Sequence, residues 1–425
     1  MVADFMANVP SEEKIYDAVI VGAGPSGCSC ALFLANAGRE VLLLDKVSSF
    51  PREKVCGDAF SGKSIGVARE LGILPALEKK PHSIVRGLTL VAPNGKQVSV
   101  PFPNADGMPF AGYTVARSDT DETFFRAAEA HPKISIMLGF SPDELLRDGE
   151  AVTGVSGSSG AEKKKMTFKS RVVVGADGAA SAVSRLLKLP SQPVEHVYSG
   201  VRGYYTGVEG LSENIELFFI DGVLPGYLWI FPMANGRANV GLGILSSDLN
   251  KGRRHPNVML ADAIEKNSSI APRFKNAKLD GRMGGWAIPL GSHRKRCFGD
   301  GWVLVGDAAS LVDPFSGEGV GNSLCSGKYA AATIGDAIEK TPGSAPLSSG
   351  SLANYGKLLD EYIYPEMIDS YRLQRASRFR FLLNLFIGKA ADKPEARQML
   401  VNMVNSDEEK KKTQSPLFYL KLLLP

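Results

Sequence analysis

The chain has 425 residues, an apolar content of 44% and a formal net charge of +4. This length is enough for a large core and predicts two or three domains. The small net charge and the short lysine runs that contribute to it argue against a protein that binds nucleic acid.

The five cysteines are odd in number and include no CxxC pair, so the sequence predicts neither a disulfide framework nor a metal site. The first residues lack the apolar core of a secretory signal. No run approaches the roughly 18 apolar residues that cross a bilayer. We therefore expect a cytoplasmic protein, which can still associate with a membrane surface.

The first predicted elements form a βαβ unit. Residues 16–21 predict a buried strand, residues 26–37 a helix that Gly38 ends, and residues 41–44 a second strand. Strand, helix and strand within about 30 residues are typical of a parallel sheet.

A GxGxxG motif joins the first strand to the helix. Gly22 permits the tight turn, Gly24 lets the backbone approach a pyrophosphate, and Gly27 lets the helix pack on the strand. Asp45 ends the second strand, where a carboxylate can accept both hydroxyls of an adenosine ribose. The pattern predicts a dinucleotide site; the alternative is a glycine turn that only tightens packing. The predicted contacts are Gly22, Ala23, Gly24, Pro25, Ser26, Gly27, Asp45 and Lys46.

After this unit the chain alternates between sheet and helix. The further predicted elements, in chain order, are a hairpin over 84–103 around Asn94-Gly95, a helix over 118–130 capped by Ser118 or Asp119, a buried strand over 171–176, strands over 197–245, a buried strand over 302–306, a helix over 318–338, and helices from Ser348 onward with a polar break at 406–413.

Two later motifs favour FAD over NAD: VVVGADGAASAVSRLL and WVLVGDAASLVDPFSGEGVGNSL. Asp307 follows the buried strand of the second motif, where a carboxylate can accept a ribityl hydroxyl; helix capping is its alternative role. Gly317, Gly319 and Gly321 bring N–H groups and a helix N-terminus toward the pyrimidine edge of a flavin. A positive field there stabilises the anionic reduced flavin.

The three motifs, in this order and spacing, resemble the flavoprotein fold of para-hydroxybenzoate hydroxylase over roughly residues 14–340. The resemblance implies FAD, with the first motif on its ADP part, the GADG segment as a second contact and the Gly-Asp motif on its ribityl chain. It also places Arg117 near the flavin; the alternative is a surface arginine before a helix. The FAD contacts implied beyond the first motif are Arg117, Asp177, Gly178, Gly306, Asp307, Gly317, Gly319, Val320 and Gly321.

Two further segments, PREKVCGD from Pro51 and PGYLWIFP from Pro225, the latter followed by NGRANVGLG, resemble the geranylgeranyl reductase family. The resemblance implies an enzyme that saturates isoprenoid double bonds of lipids, chlorophyll precursors or quinones. The match is incomplete, because only Gly226 separates Pro225 from Tyr227 and family members vary there.

We therefore predict an α/β fold, α+β overall, with a Rossmann-like FAD-binding domain, an inserted antiparallel sheet domain for substrate and a helical C-terminal tail. The predicted boundaries are 14–83, 113–190 and 290–345 for the FAD-binding domain, 84–112 and 191–289 for the substrate-binding sheet domain, and 346–425 for the C-terminal helical region.

Alternation along a strand places Tyr227, Trp229 and Phe231 on one face. In the next predicted strand Gly241 and Gly243 also share a face and leave room beside it. An aromatic wall opposite glycines forms an apolar slot that suits a polyprenyl chain, so these five residues are the predicted substrate contacts. The alternative is a set of aromatic residues that fill an ordinary core.

Cys56 lies in a polar loop between Lys54 and Asp58, unlike the usual small buried cysteine. The resemblance places this loop near the flavin. We predict Cys56 as the catalytic residue, which either donates a proton to the carbon that does not receive hydride or positions the substrate.

The predicted reaction is hydride transfer from reduced FAD to one carbon of an isoprenoid C=C bond, followed by protonation of the neighbouring carbon. A separate electron donor, NAD(P)H or a ferredoxin-type protein, must reduce the flavin. No second nucleotide motif occurs, so NAD(P)H would bind only transiently. One alternative is an aromatic hydroxylase or halogenase on the same fold, and another is a flavin-containing isoprenoid carrier without turnover. The tryptophans are isolated, whereas halogenases usually show a Trp-x-Trp-x-Ile segment.

The C-terminal region contains two apolar segments with basic residues, at 378–389 and 416–424. Such segments can lie in a bilayer interface and admit a lipid substrate, so we predict peripheral membrane contact through this region. The alternative is helices that pack on the body of the protein.

Overall fold

The computed structural model describes residues 10–160, 162–249 and 255–405. The strands in these residues, in chain order, are β1 (Ile15–Tyr16), β2 (Ala18–Val21), β3 (Val41–Asp45), β4 (Ala59–Phe60), β5 (His82–Val85), β6 (Gly87–Val91), β7 (Gln97–Pro101), β8 (Gly112–Val115), β9 (Ile134–Leu138), β10 (Phe140–Asp148), β11 (Ala151–Ser159), β12 (Lys164–Ser170), β13 (Val173–Gly175), β14 (Val197–Thr206), β15 (Asn214–Phe218), β16 (Tyr227–Pro232), β17 (Arg237–Leu245), β18 (Lys278–Pro289), β19 (Phe298–Gly299) and β20 (Trp302–Leu304).

The helices in the same residues are α1 (Pro25–Asn36), α2 (Gly62–Glu70), α3 (Leu74–Leu77), α4 (Arg117–Glu129), α5 (Ala182–Leu186), α6 (Ser246–Leu249), α7 (Pro256–Lys266), α8 (Val320–Lys340), α9 (Ser349–Tyr362), α10 (Tyr364–Ser377), α11 (Arg380–Asp392) and α12 (Pro394–Asn405). None of these helices is long and apolar enough to cross a membrane. The predicted break at 406–413 and the apolar segment 416–424 lie outside the described residues.

A six-stranded sheet carries the glycine-rich motifs. Its order is β19-β20-β13-β2-β3-β9, and every pair except β19–β20 is parallel. Strands β2, β3, β13 and β20 are buried along their length because helices cover the sheet. Their carboxyl ends meet at one edge, so the segments that follow them share one crevice.

A seven-stranded sheet, ordered β18-β14-β17-β16-β15-β6-β7, forms the second layer. Alternation along β16 divides its residues between two cores. Leu228 and Ile230 pack with Leu260 of α7 on one face. The aromatic residues of β16 pack on the other face with Leu383 and Ile387 of α11. The C-terminal helices therefore cover part of the face that carries the predicted slot.

The structure confirms the predicted fold class, with a parallel FAD-type sheet, an antiparallel sheet and C-terminal helices. Two details differ. Helix α4 begins at Arg117 after Ala116, with no side-chain cap, so neither Ser118 nor Asp119 has the predicted role. Residues 140–170 form three antiparallel strands, which the sequence analysis missed. The last of them, β12, pairs in parallel with β1 and completes a four-stranded sheet.

Candidate functional site

The glycine-rich turn after β2 has the geometry of a phosphate-binding turn. Gly22 has a φ of +108°, which favours glycine. A Cβ at Gly27 would lie 1.8 Å from the Gly22 carbonyl oxygen, so α1 packs against the turn only without a side chain. A Cβ at Gly24 would meet only the Arg52 guanidinium, at 2.8 Å. The backbone at Gly24 is therefore open to a ligand at the N-terminus of α1, where Pro25 and Ser26 form the first turn.

Asp45 stands at the end of β3 beside this turn. Its Oδ2 accepts the Ala23 N–H at 2.7 Å and its Oδ1 accepts the Val47 N–H at 3.0 Å. The guanidinium Nη1 of Arg52 lies 3.6 Å from Oδ2. Each carboxylate oxygen has a second lone pair, so the side chain can hold the turn and still accept a ribose hydroxyl. The neighbouring Lys46 is exposed.

The carboxylate of Asp177, in the GADG segment, accepts hydrogen bonds from groups of the protein itself. Its Oδ1 accepts the Ser181 hydroxyl at 2.5 Å, and its Oδ2 accepts the N–H groups of Ala182 and Val183 at 2.6 and 3.1 Å. Burial raises the pKa of Asp177 above its usual range, although these bonds oppose the change. The side chain thus holds the start of α5, while Gly178, with a φ of +79°, presents backbone to the crevice.

The turn after β20 lies directly against the first glycine-rich turn. A Cβ at Gly306 would lie 2.9 Å from Ser26 Oγ. The next residue, Asp307, is partly exposed, and its Oδ2 lies 3.9 Å from the Nζ of Lys54. Within the described residues its carboxylate accepts no hydrogen bond, unlike the carboxylates of Asp45 and Asp177. Asp307 is therefore the acid of this crevice whose oxygens remain available to a ligand.

The loop between Asp307 and α8 approaches β16, the aromatic strand that carries Tyr227, Trp229 and Phe231. The Tyr227 hydroxyl donates to the Ser316 carbonyl at 2.5 Å, and a Cβ at Gly317 would lie 3.2 Å from that hydroxyl. Gly319 caps α8, which starts at Val320, and Gly321 follows in its first turn. The N–H groups of residues 315–318 bond within the loop itself. The backbone N–H groups that a ligand could meet here are therefore those of the α8 N-terminus.

Residues 51–58, here called the cysteine loop, run along this crevice. Arg52 lies near Gly24 and Asp45. Lys54 lies farther along, with its Nζ 4.4 Å from the centre of the Trp286 ring. Burial lowers the pKa of Lys54, and Asp307 offsets this only in part. The loop therefore places two cations along the path on which the three predicted FAD motifs converge.

Cys56 faces the guanidinium of Arg117. The Nε and Nη2 atoms of Arg117 donate to Asp121 at 2.8 and 3.2 Å. The side chain of Arg117 also interacts with that of Cys56. Burial lowers the pKa of Arg117, but the Asp121 carboxylate and the interaction with the Cys56 side chain more than compensate, so the net change is upward. Arg117 therefore carries a fixed positive charge beside the thiol and not on the surface.

The aromatic side chains of β16 are nearly enclosed. Tyr227, Trp229 and Phe231 are each 8% exposed. The cysteine loop covers one end, since a Cβ at Gly57 would lie 3.1 Å from the Phe231 ring. The room that was expected beside Gly241 is filled by the indole ring of Trp229, from which a Cβ at Gly241 would lie only 2.1 Å. A Cβ at Gly243 would lie 3.9 Å from the same ring.

Two buried polar residues beside Cys56, Asn239 and Asp58, were missed as functional candidates. Asn239 accepts the indole N–H of Trp229 at 2.9 Å and donates to the Cys56 carbonyl at 2.7 Å. It also donates to Asp58 at 2.8 Å. In the sequence, Asn239 is an uncharged polar residue inside an otherwise apolar strand pattern, which could have marked it. Which groups it contacts is visible only in the tertiary structure.

A cavity of about 580 Å³ opens beside the start of β16. Its lining includes Pro225, Tyr371 and two arginines of the C-terminal region, Arg375 and Arg378. At its base Gln374 donates to the Pro314 carbonyl at 2.9 Å, which connects this cavity to the loop before α8.

The FAD-binding domain family matches residues 15–338, which span all three glycine-rich motifs and the cysteine loop. The chain belongs to this family. Digeranylgeranylglycerophospholipid reductase 2 from Methanopyrus kandleri is 35% identical over 338 residues, which cover 78% of this chain and 79% of the relative. Menaquinone reductase from Mycobacterium tuberculosis is 33% identical over 331 residues, which cover 74% and 75%. These matches confirm an FAD-dependent oxidoreductase related to geranylgeranyl reductases.

Two solved structures show the same fold. A geranylgeranyl bacteriochlorophyll reductase-like protein from Thermoplasma acidophilum aligns with a TM-score of 0.80 over 94% of this chain and 99% of its own, at 21% identity. A flavin-dependent brominase aligns with a TM-score of 0.76 over 92% and 93%, at 22% identity. At these identities the likeness concerns the fold alone.

Proposed function

We propose that this FAD-dependent oxidoreductase saturates isoprenoid C=C bonds of a lipid, a quinone or a prenyl diphosphate. The contact of the cysteine loop with the aromatic face carries the proposal: Gly57 lies against Phe231 at the same place where Cys56 faces Arg117. The names of the relatives support it, because menaquinone and digeranylgeranyl lipids both carry polyprenyl chains.

The residues of the crevice fit FAD. We assign its pyrophosphate to the open backbone at Gly24 and the N-terminus of α1, and its adenosine ribose to Asp45. Asp307, which pairs with Lys54 but accepts no hydrogen bond in the described part of the chain, takes the ribityl chain. The segment from Gly317 to Gly321 takes the pyrimidine end, where the N-terminus of α8 favours negative charge.

When bound and reduced, FAD supplies the hydride, and the residues of the chain arrange the rest. Trp229 and Phe231 present an apolar surface that aligns the polyprenyl chain and excludes water, which an unactivated double bond requires. The Cys56 thiol donates the proton to the carbon that does not receive hydride. The guanidinium of Arg117 stabilises the thiolate that remains, and the thiolate regains its proton from solvent.

The polar end of the substrate and the source of electrons are also part of the proposal. We place the polar head group in the cavity lined by Arg375 and Arg378, because it opens beside Pro225 at the start of the aromatic strand. The electron donor is NAD(P)H or a ferredoxin-type protein. Phe379 and Phe381, which are 53% and 64% exposed, provide the contact with the membrane that holds the lipid.

The deciding experiment reduces the FAD-loaded protein without oxygen and then adds a geranylgeranyl phospholipid or a menaquinone. Reoxidation of the flavin with a gain of two hydrogens per saturated bond supports the reductase. Reoxidation by oxygen alone, with hydroxylation of an aromatic compound, would identify a hydroxylase. Binding of the lipid without reoxidation would identify a carrier.

The role of Cys56 is tested by Cys56→Ser, with Cys325→Ser as the matched control because Cys325 is also partly exposed but lies on α8. A hydroxyl is a far weaker acid than a thiol, so we expect Cys56→Ser to slow flavin reoxidation by lipid by about 100-fold. Full turnover with unchanged double-bond selectivity would remove Cys56 from the mechanism.

A further inference from the structure

A single buried amide connects the aromatic face to the cysteine loop. Asn239 lies in β17, is fully buried, and stands opposite Phe231 of β16. Strand β17 is an interior strand of the seven-stranded sheet, between β14 and β16. A buried amide without partners is costly, so the groups that satisfy it show what it holds together.

The orientation of the Asn239 amide is fixed by the chemistry of its partners. The indole N–H of Trp229 can only donate, so the atom that faces it at 2.9 Å is Oδ1. The Cys56 carbonyl and the Asp58 carboxylate accept, so the atom that faces them at 2.7 and 2.8 Å is Nδ2. All three bonds involve groups of the proposed active site or its immediate support.

Asp58 is the second half of the same connection. It is buried and has a φ of +65°, a conformation that is uncommon for a residue with a side chain. Besides the amide of Asn239, its carboxylate accepts the Tyr204 hydroxyl at 2.6 Å and the backbone N–H of Arg117 at 3.1 Å. Its own carbonyl accepts the Val115 N–H at 3.0 Å.

We propose that Asn239 and Asp58 are positioning residues that fix the Cys56 peptide relative to the indole of Trp229. The functional part of this proposal rests on the proposed reductase reaction. A loop by itself would leave the thiol free to move. Hydrogen bonds to an amide on a rigid interior strand restrict the loop to one position relative to the sheet. The distance between the proton donor and the substrate wall is thereby set by β17.

The first test removes the bonds and measures geometry without substrate. In Asn239→Leu we expect the Cys56 thiol to react with iodoacetamide about tenfold faster than in the unchanged protein, because a buried hydrogen-bonded anchor is lost. Mass spectrometry separates Cys56 from Cys325, the other partly exposed thiol. The Trp229 indole N–H, identified by its absence in Trp229→Phe, is expected to exchange its hydrogen faster.

Two further variants accompany this test, one as a control for a general loss of stability and one as a milder change at Asp58. Ser156→Ala removes a buried hydroxyl from the four-stranded sheet, outside the seven-stranded one, and is expected to leave Cys56 reactivity unchanged. Tyr204→Phe removes one bond from Asp58 and keeps both bonds of the Asn239 amide nitrogen, so a smaller increase of about threefold is expected. Tyr204→Phe also serves if Asn239→Leu does not fold.

The second test uses Asn239→Asp, which keeps the shape but replaces the amide donor by a carboxyl. The new carboxyl group faces the carboxyl group of Asp58, whose pKa is raised by burial, and the Cys56 carbonyl, with the Tyr204 hydroxyl, the backbone N–H of Arg117 and the charge of Arg202 nearby. In its ionised form the new group cannot donate a hydrogen bond. At lower pH the protonated carboxyl can donate again. At neutral pH we expect the kcat of Asn239→Asp to be about tenfold lower than that of the unchanged protein, with KM nearly constant. As the pH falls, the kcat of the variant should approach that of the unchanged protein at the same pH.

These outcomes separate the positioning claim from the proposed reaction. Unchanged Cys56 alkylation and indole exchange in Asn239→Leu would overturn the positioning role, whether or not the protein reduces isoprenoids. A changed alkylation rate in a protein that never reduces an isoprenoid would leave the geometry intact and overturn only the reaction. A kcat ratio in Asn239→Asp that stays constant with pH would show that the donated bond does not matter for turnover.

Discussion

The indole ring of Trp229 occupies the space above Gly241: a Cβ at position 241 would come within 2.1 Å of its Cζ2 atom. The two residues are cross-strand partners in β16 and β17. Glycine at this position therefore seats the largest side chain of the aromatic face and leaves the indole N–H directed at Asn239.

We predict that Gly241→Ala displaces the Trp229 ring and also strains the neighbouring strand, because its Cβ would lie 2.5 Å from the Val201 carbonyl oxygen. The free energy of unfolding should fall by at least about 1–3 kcal/mol, the usual cost of overpacking. Urea unfolding and the tryptophan emission spectrum measure the two effects. Gly243→Ala is the matched control, because its Cβ would lie 3.9 Å from the same ring, at ordinary contact distance. Equal effects of the two substitutions would contradict this account.

We predict that Gly27→Ala prevents correct folding of the first turn, because its Cβ would lie 1.8 Å from the Gly22 carbonyl oxygen. Gly24→Ala meets only the flexible end of Arg52 and should fold, but bind FAD more weakly because the new methyl group stands where the pyrophosphate approaches. The FAD content of the purified protein and FAD titration of the apoprotein are the measurements. Gly335→Ala, in an open position on α8, is expected to retain FAD fully.

We predict that Asp307→Ala weakens FAD binding about tenfold, because a charged acceptor of a ribityl hydroxyl is lost. Fluorescence titration of the apoprotein with FAD gives the dissociation constant. Asp336→Ala removes the same charge from an exposed position on α8 and should leave the constant unchanged. A wild-type constant in Asp307→Ala would mean that its carboxylate does not reach the cofactor.

The carboxyl group of Glu318 is expected to make the free energy of unfolding depend on pH. Burial raises the pKa of Glu318, and the ammonium of Lys63 and the Ser61 hydroxyl offset this only in part. A carboxyl whose pKa is higher in the folded state binds more protons folded than unfolded between the two pKa values. Its contribution to stability is therefore complete below the ordinary carboxyl pKa and is lost as the pH rises through the raised value.

We predict that Glu318→Gln removes this loss, so the free energy of unfolding of the variant falls less between roughly pH 4 and neutrality than that of the unchanged protein. Urea unfolding of the apoprotein at several pH values measures the difference. Parallel curves for the two proteins would show that the Glu318 carboxyl does not titrate differently on folding.

The C-terminal helices combine burial with exposure. Leu383 and Ile387 of α11 pack into the core beside the aromatic strand, whereas Phe379 and Phe381 remain exposed. We predict that Phe379→Ser combined with Phe381→Ser weakens cosedimentation with anionic phospholipid vesicles several-fold, because apolar area at the interface is lost. Thermal stability should change little. Tyr362→Ser, at a similarly exposed position, is the control, and equal binding by all three proteins would remove the membrane contact.

The local chemistry of the cofactor site could be predicted from the sequence because it depends on short segments. The turn from Gly22 to Gly27, the acid at 45 and the Gly-Asp pair at 306–307 each combine a buried strand with the residues that follow it. Parallel strands align their carboxyl ends at one sheet edge. The convergence of motifs that are almost 300 residues apart can therefore be predicted without knowing which distant side chains touch.

The sequence by itself determined that this chain has an FAD-type parallel sheet, a cysteine loop after its second strand and an aromatic face on a later strand, because strand and turn patterns are local. Only the tertiary structure decided that Trp229 fills the space at Gly241, that Asp177 serves a helix of its own chain, and that Asn239 joins Cys56 to the aromatic face. The physical reason is that a buried polar group takes whichever partners the packing of distant segments brings to it, and that choice is written in no single stretch of sequence.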